Sequence, residues 1–306
     1  MSGIISLVKT LAVQEGYNLT ALPDVRILRS DRSLSRTPVL YDPGIVIVCQ
    51  GSKCGYFGQQ TYLYDEQRYL AVSVPVPFVM ETDASAEHPL LAMYLHLDFQ
   101  LAAELMLQIE KHGTPHPSAV PQSMMSSMMD DRVKTAVLRL LEVLNDPLEA
   151  EILGPARLRE LYFRVLTGVQ GNAMRAALAL QGQFGKIGKA LQRIHATYAE
   201  PLTLTQLAME TGMSVPTFHH HFKAITRMPP MQYVKSIRLH QARMLMVRQQ
   251  ITAAAASYAV GYESPSQFNR EFKRLFGLPP AEEIKRMQRH FVVPPPQPAS
   301  VFISSH

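Results

Sequence analysis

The chain has 306 residues, of which 47% are hydrophobic and 18% charged, a composition typical of globular proteins that excludes disorder throughout. At roughly 150 residues per domain, this length predicts about two domains, each long enough to bury a core. Two cysteines exclude a disulfide scaffold. No apolar run approaches the ~20 residues of a membrane span, and no signal-peptide pattern opens the chain, so we expect a cytoplasmic protein with no membrane partner.

The net charge of +5 is unevenly distributed along the chain. Residues 186–290 carry 15 Lys and Arg against 6 Asp and Glu, whereas residues 1–185 carry 15 against 19. The first part is therefore slightly acidic and the second is clearly basic. An asymmetry of this kind predicts that the basic part meets a polyanion.

The first part of the chain predicts a small β domain preceded by a helix over residues 4–15. From residue 38 to residue 97, β-rich runs and turns alternate at a spacing of about ten residues, as in sandwiches and barrels. The run Ile45–Val48 is typical of a buried strand. Prolines interrupt the run at 72–79, as expected at the edges and bends of a small barrel.

Cys49 and Cys54 flank a candidate two-residue hairpin turn formed by Gly51 and Ser52. In that register the cysteines lie opposite each other with Cα atoms ~4.5 Å apart, at the short limit of disulfide geometry. One interpretation is a redox pair that senses oxidants or electrophiles. The other, which we favour, is two small thiols that remain reduced.

Small barrels either fill their interior with side chains or enclose a ligand. Five residues are therefore candidates for a small-molecule effector pocket or for a plain core: Tyr41, Val46, Tyr56, Phe78 and Met93. The histidines and glutamates of this region lack a compact metal-ligand spacing. We accordingly predict no metal, no cofactor, no catalytic residue and no enzymatic activity.

The periodicity becomes helical after residue 98. Helices are predicted over 101–109, 130–144 and 157–166, with Gly154 and Pro155 separating the last two. Residues 112–127 predict a proline-rich loop, and the methionines that follow Ser123 are expected to begin a helix that packs on its neighbour. The last two helices form a hairpin that packs on the β domain or makes a dimer interface.

Residues 204–230 and 253–280 resemble each other. Each unit pairs a short helix with a glycine, Gly212 or Gly261, that permits the positive φ of a sharp turn. A serine then caps a second helix whose first turn contains proline. Two phenylalanines four residues apart mark the buried face of that second helix.

This pattern is typical of a helix-turn-helix, and a helix predicted over 231–248 joins the two units. Two recognition helices at a fixed separation can enter successive major grooves ~34 Å apart. Residues that lie on the exposed side are candidates for contacts with bases or phosphates. They are Ser214, Thr217, His219, His220, Lys223, Ser264, Ser266, Gln267, Asn269, Arg270, Lys273 and Arg274.

Arg270 is suited to guanine, and Gln267 or Asn269 to adenine, because each can form a bidentate pair with the base edge. The alternative for Arg270 is a surface ion pair with Glu263 or Glu271. Three adjacent histidines, 219–221, cannot ligate one metal from a single helix face, but their protonation predicts DNA binding that depends on pH.

Several stretches resemble the AraC family of bacterial transcription regulators. In the DNA-binding domain these are GMSVPTFHHHFK (212–223), IRLHQAR (237–243) and GYESPSQFNREFKRLFGLPP (261–280). The N-terminal domain of one branch of the family, a cupin-like β-barrel, is similar to PVLYDPGIVIVCQGSKCGYFG (38–58), YLAVSVPVPFVMETDAS (69–85) and LGPARLRELYFRVLTGVQG (153–171). Arg227 departs from the family pattern, which has glycine there.

The resemblance implies an α+β fold: an N-terminal cupin-like β-barrel with a helical hairpin, and a C-terminal all-α domain with two helix-turn-helix motifs joined by a long helix. We expect a sensory domain at 1–110, a helical linker or dimerisation segment at 111–185, the DNA-binding domain at 186–290 and a disordered proline-rich tail at 291–306.

The expected function is sequence-specific transcription regulation, mostly activation, with promoter DNA and RNA polymerase as partners. A small-molecule or redox signal would act through the N-terminal domain. Two alternatives remain: a cupin-type metal enzyme fused to a DNA-binding module, or a DNA-binding protein whose N-terminal domain only forms a homodimer.

Overall fold

A computed structural model of the protein describes residues 2–112, 121–179 and 182–290. The tail predicted at 291–306 and residues 113–120 of the predicted loop lie outside the described residues. Within the described ranges, no helix combines the length and the apolar character that crossing a membrane requires.

An antiparallel sheet curved into a half-barrel forms the N-terminal half. Its strands are β1 (Gly16–Leu19), β2 (Val25–Ser30), β3 (Leu34–Tyr41), β4 (Gly44–Gln50), β5 (Ser52–Phe57), β6 (Gln60–Asp65), β7 (Arg68–Val72), β8 (Val76–Asp83), β9 (Leu90–His96) and β10 (Met124–Met128). Among the described residues the strand order is β1-β2-β9-β4-β7-β6-β5-β8-β3, and β10 pairs with β7. The predicted small β domain is confirmed.

Strand β4 is buried on both faces, which explains its unbroken apolar sequence. Since side chains alternate along a strand, Ile45 and Ile47 point to one side and pack against helices. Val46 and Val48 point to the other side, into the interior of the half-barrel. The sheet therefore separates two apolar cores, one outside and one inside.

Five helices accompany the sheet, and residues from all of them line the outer core. They are α1 (Ser2–Leu11), α2 (Phe99–Lys111), α3 (Asp131–Leu144), α4 (Pro147–Thr167) and α5 (Gly171–Leu178). Asp130 and Asp146 accept hydrogen bonds from the first backbone amides of α3 and α4. Helices α3 and α4 pack together as the predicted helical hairpin.

Two predictions about this region are wrong. Gly154 and Pro155 do not separate two helices, because α4 runs through both of them. The carbonyl that loses its partner at Pro155 belongs to Glu151, which is exposed and can bind water instead. The methionines after Ser123 form strand β10 rather than a helix start, because Met124 and Met125 are buried in ladder register with Val72 and Ala71 of β7.

The C-terminal half is entirely helical within its described residues. Its helices are α6 (Gly182–Thr197), α7 (Leu204–Glu210), α8 (Val215–Thr226), α9 (Pro230–Gln249), α10 (Ala253–Ala259), α11 (Pro265–Phe276) and α12 (Pro280–His290). Helix α9 confirms the long helix predicted between the two units. The apolar core of the first unit continues into the interior of the half-barrel, whereas the second unit has a core of its own.

Candidate nucleic-acid interface

Both units form the predicted turn and cap. Gly212 and Gly261 adopt φ values of 64° and 83°, in the left-handed region that glycine enters without strain. Ser214 Oγ then accepts a hydrogen bond from the amide of Thr217 at 3.4 Å, and Ser264 Oγ accepts one from Gln267 at 3.3 Å. Each cap satisfies a free amide at the start of a recognition helix, α8 or α11.

The phenylalanine pairs fix the rotation of the recognition helices about their axes. Phe218 and Phe222 of α8 are fully buried, with ring centroids 5.4 Å apart. Phe268 and Phe272 of α11 repeat the arrangement at 5.5 Å. Because these rings anchor one face of each helix, the residues between them point outward.

Most of the predicted contact residues lie on these outward faces. The exposed ones are Ser214, Thr217, His220, Lys223, Ser266, Gln267, Asn269, Arg270, Lys273 and Arg274, and the half-buried ones are His219 and Ser264. The structure thus brings four candidates together on or before α8 and six on α11 in positions open to a ligand. Their contact with DNA remains a prediction.

Arg270 extends from α11 without an ion pair to Glu263 or Glu271 in the part of the chain that the structure describes. Glu271 is instead engaged by Lys235 Nζ at 2.8 Å and by the hydroxyl of Tyr262 at 2.7 Å. Burial raises the pKa of Glu271, but these hydrogen bonds outweigh burial and hold the pKa below its usual value. Glu271 therefore belongs to the scaffold, and the Arg270 guanidinium is left for an external acceptor.

Arg238 lies in the stretch IRLHQAR (237–243), and the sequence alone does not predict it as a site residue. Its guanidinium donates to the carbonyls of Tyr198 at 2.7 Å, Glu200 at 2.8 Å and Gly261 at 2.9 Å. One side chain therefore links α9 to the end of α6 and to the turn of the second unit. No periodicity signals such a contact, because all three acceptors are backbone atoms distant in sequence.

The three adjacent histidines lie in succession on α8. The rings of His220 and His221 meet edge to face with centroids 5.4 Å apart. Among the described residues, no group of three or more His, Cys, Asp or Glu side chains is placed to hold a metal ion. The pH dependence expected from His219 and His220 remains a prediction.

The predicted effector pocket divides between the two sides of the sheet. Tyr41, Val46 and Phe78 share the interior core, as expected. Met93 does not, because its strand register with Ile27 and Ile47 points it toward the helices. Tyr56 lies outside as well, where its hydroxyl donates to Glu81 and Arg36 lies 4.1 Å above its ring. For Met93 and Tyr56 the prediction is wrong.

Lys53 is an interior residue that the sequence does not predict. Its side chain is buried, and Nζ donates to the Tyr41 hydroxyl at 3.0 Å. No carboxylate of the described chain pairs with it, and burial lowers its pKa to about 7. The alternation of β5, in which Lys53, Gly55 and Phe57 are buried, is the signal that could have revealed it.

The predicted cysteine hairpin is wrong. Strand β4 pairs with β7 and β9, whereas β5 pairs with β6 and β8, so Cys49 and Cys54 do not face each other across a ladder. Cys49 is buried in the outer core, and burial raises the pKa of its thiol to about 12. A thiol held protonated in this way reacts slowly with oxidants and electrophiles. A redox role for the pair remains an untested prediction.

Two family models match the chain. The AraC-type transcriptional regulator N-terminus matches residues 21–173, which is half of the chain, and a helix-turn-helix domain matches residues 207–286.

Curated relatives match part of the chain. The transcriptional regulator AlkR of Acinetobacter baylyi is 33% identical over 31% of this chain and 31% of its own length. The transcriptional activator VirF of Yersinia enterocolitica is 22% identical over 54% of this chain and 60% of its own. The chain thus spans about a third of the length of AlkR and of two other regulators among the first relatives.

The solved structure of ToxT from Vibrio cholerae bound to an unsaturated fatty acid has the same overall fold. It superposes with a TM-score of 0.56 over 89% of this chain and 97% of its own, at 10% identity. The likeness therefore covers both halves of the molecule together.

Proposed function

This chain belongs to the AraC family of transcription regulators, and we propose from that premise that it binds promoter DNA in a sequence-specific manner. The observation that carries the proposal is the pair of capped recognition helices, which present Lys223, Arg270, Lys273 and Arg274 on exposed faces. Exposed Arg and Lys side chains on such helices suit base edges and phosphates. The basic charge of the same half supports this reading.

Selection from a randomised library of DNA duplexes, with the full chain as bait, tests this proposal. We expect recovery of one sequence family with two conserved tracts, bound roughly a thousandfold or more above random duplex. Recovery of unrelated sequences, bound no better than the starting library, would contradict sequence-specific binding.

We propose that the interior of the half-barrel receives a small-molecule effector carrying a carboxylate. Lys53 supports this, because a buried amine without an ionic partner gains a counter-ion when an acid binds. The fatty acid bound to the similarly folded ToxT supports the same chemical class.

Equilibrium binding of oleate, measured by titration calorimetry, tests the effector. Saturable binding to the full chain, weakened at least about tenfold by Lys53→Met, is the expected result, since a charge-assisted contact in a buried site is strong. The exposed Lys9 gives the matched control Lys9→Met. Equal affinity of both variants would exclude Lys53 as the anchor.

For the remainder of the molecule we propose the domain roles that the sequence predicts. Residues 1–110 receive the signal, 111–185 link or dimerise, and 186–290 bind DNA in the cytoplasm, where the protein acts through RNA polymerase and catalyses no reaction. Leu148 and Ile152, each 66% exposed on one face of α4, support a homodimer contact on this helix.

A further inference from the structure

The two helix-turn-helix units are attached to the half-barrel in different ways. The first unit shares one continuous apolar core with it, in which Tyr233 of α9 is fully buried. The Tyr233 hydroxyl donates to the carbonyl of Pro75 at 2.9 Å and lies 2.8 Å from His195 Nε2. Because a shared core resists displacement, the first unit and the half-barrel behave as one body.

The core of the second unit is a separate cluster built from α9, α10 and α11. Polar contacts to strand β3, and to the residues just before it, connect this unit to the half-barrel. Arg243 of α9 donates to the carbonyl of Pro38 at 3.0 Å, and Arg286 of α12 donates to Thr37 Oγ1 at 3.3 Å. Arg32, just before β3, donates to the backbone carbonyl of Arg289. We call the contacts of Arg243 and Arg286 with Thr37 and Pro38 the β3 clamp.

Glu283 organises the clamp from within the second unit. Its carboxylate pairs with Arg243 at 3.1 Å, with both side chains fully buried, and with Arg286 at 2.8 Å. The guanidinium of Arg243 also lies 4.2 Å above the ring of Phe276 at the end of α11. The clamp therefore engages α9, α11 and α12 together, so it constrains the unit as a whole.

A buried ionic network permits little deviation in geometry. Burial lowers the pKa of Arg243 to about 10, with Glu283 opposing the shift, so the arginine remains charged at neutral pH. The ion pairs with Glu283 lie within the second unit and move with it. Tilting the unit away from β3 would instead break the hydrogen bonds that Arg243 and Arg286 donate to Pro38 and Thr37, and losing a hydrogen bond from a charged group costs more than loosening an apolar contact. The network therefore favours a single orientation of α11 relative to the half-barrel.

We infer that the half-barrel fixes the relative orientation of the two recognition helices: through the β3 clamp, Thr37 and Arg286 set the orientation of the second recognition helix relative to the first. The inference rests on the proposed binding of DNA by both units. Thr37 and Arg286 are positioning residues, because they lie outside the exposed faces of α8 and α11. The clamp determines which separation between two half-sites the chain accepts.

The test compares the selected duplex with versions in which one base pair is inserted or removed between its two conserved tracts. Thr37→Val removes the hydroxyl that accepts from Arg286 while keeping the side-chain shape, and Arg286→Ala removes the donor. Lys285→Ala is the matched control, since this exposed lysine precedes Arg286 on the same helix. Binding of all four full-length proteins is measured on all three duplexes.

We expect the wild type and Lys285→Ala to lose about tenfold or more in affinity on the altered spacings, comparable to a mismatched base pair. Thr37→Val and Arg286→Ala should lose only about threefold or less, because their second unit can adjust to the new spacing. A variant that was merely less stable would weaken on all three duplexes by the same factor, leaving the ratio unchanged.

If both clamp variants kept the wild-type ratio of affinities between the selected and the altered spacings, the role of the clamp in orienting the second unit would be overturned, while specific DNA binding would stand. Failure of the wild type to select any duplex would instead overturn the proposed function, and with it the inferred role of the clamp.

Discussion

At the scale of single residues, Arg270 is the side chain that we expect to read a base. We predict that Arg270→Ala weakens binding to the selected duplex by about 1–3 kcal/mol and leaves binding to random duplex nearly unchanged. The reason is that the exposed guanidinium forms no ion pair with Glu263 or Glu271 within the described chain. Dissociation constants on both duplexes check this, and an equal loss on both would refute base recognition by Arg270.

Lys273 provides the contrast, because it lies later on α11 and is suited to phosphate. Lys273→Ala should weaken binding to both duplexes alike and lower the salt dependence, the slope of log K against log salt, by about one. A salt series from the same titrations measures that slope. An unchanged slope would place Lys273 away from the backbone of DNA.

The burial of Lys53 should make the folding stability of the protein depend on pH. Its pKa is about 7 in the folded protein, below the value of about 10.4 in an unfolded chain. Between these values the unfolded state binds more protons, so folding stability rises with pH by up to about 1.4 kcal/mol per unit, and below pH ~7 this contribution to the slope vanishes. Lys53→Met should lose the rise.

Denaturant unfolding between pH 7.5 and 9.5 measures this difference. The wild type and Lys9→Met should share the steeper slope, because Lys9 is exposed. A slope in Lys53→Met equal to that of the wild type would mean that the Lys53 amine is not neutralised on folding.

At the scale of elements, the ends of the two recognition helices make a natural comparison. Both end in the left-handed region, α8 at Arg227 with φ of 57° and α11 at Gly277 with φ of 82°. Gly277→Ala should destabilise the protein by about 1 kcal/mol, because a Cβ is strained there although it meets no neighbour. Arg227→Gly should stabilise by about 0.5 kcal/mol, the relief being partly offset by the added freedom of glycine in the unfolded chain.

Thermal or denaturant unfolding of both variants checks the opposite signs. Effects of the same sign would show that the backbone conformation does not govern these helix ends.

The elements that the sequence predicted well carry their signals locally. Ser214 and Ser264 are predictable as caps, and Phe218 and Phe268 as core residues, because capping and helical periodicity act within a few residues. Strand β10 is not predictable from its own residues, since methionine favours a helix and only the ladder with β7 makes Met124 and Met125 part of a strand. The sequence wrongly predicts a break in α4 at Pro155, because neighbouring residues do not reveal that the carbonyl of Glu151 is open to solvent.

At the scale of the whole molecule, the sequence predicted two halves but not how they join. The partners Arg286 and Thr37 are 249 positions apart, and Tyr233 and Pro75 are 158 apart. Neither contact is visible in periodicity or charge, because Arg286 donates to a hydroxyl and Tyr233 donates to a backbone carbonyl. The same limit explains why Arg238 is not predicted as a linking residue.

Hydroxyl-radical footprinting of the full chain on the selected duplex tests most directly whether both units bind DNA. We predict two protected tracts on one face of the duplex, about one helical turn (10–10.5 base pairs) apart, and loss of protection in one tract alone for Arg270→Ala. A single protected tract, or protection that moves with neither recognition helix, would contradict binding by two units.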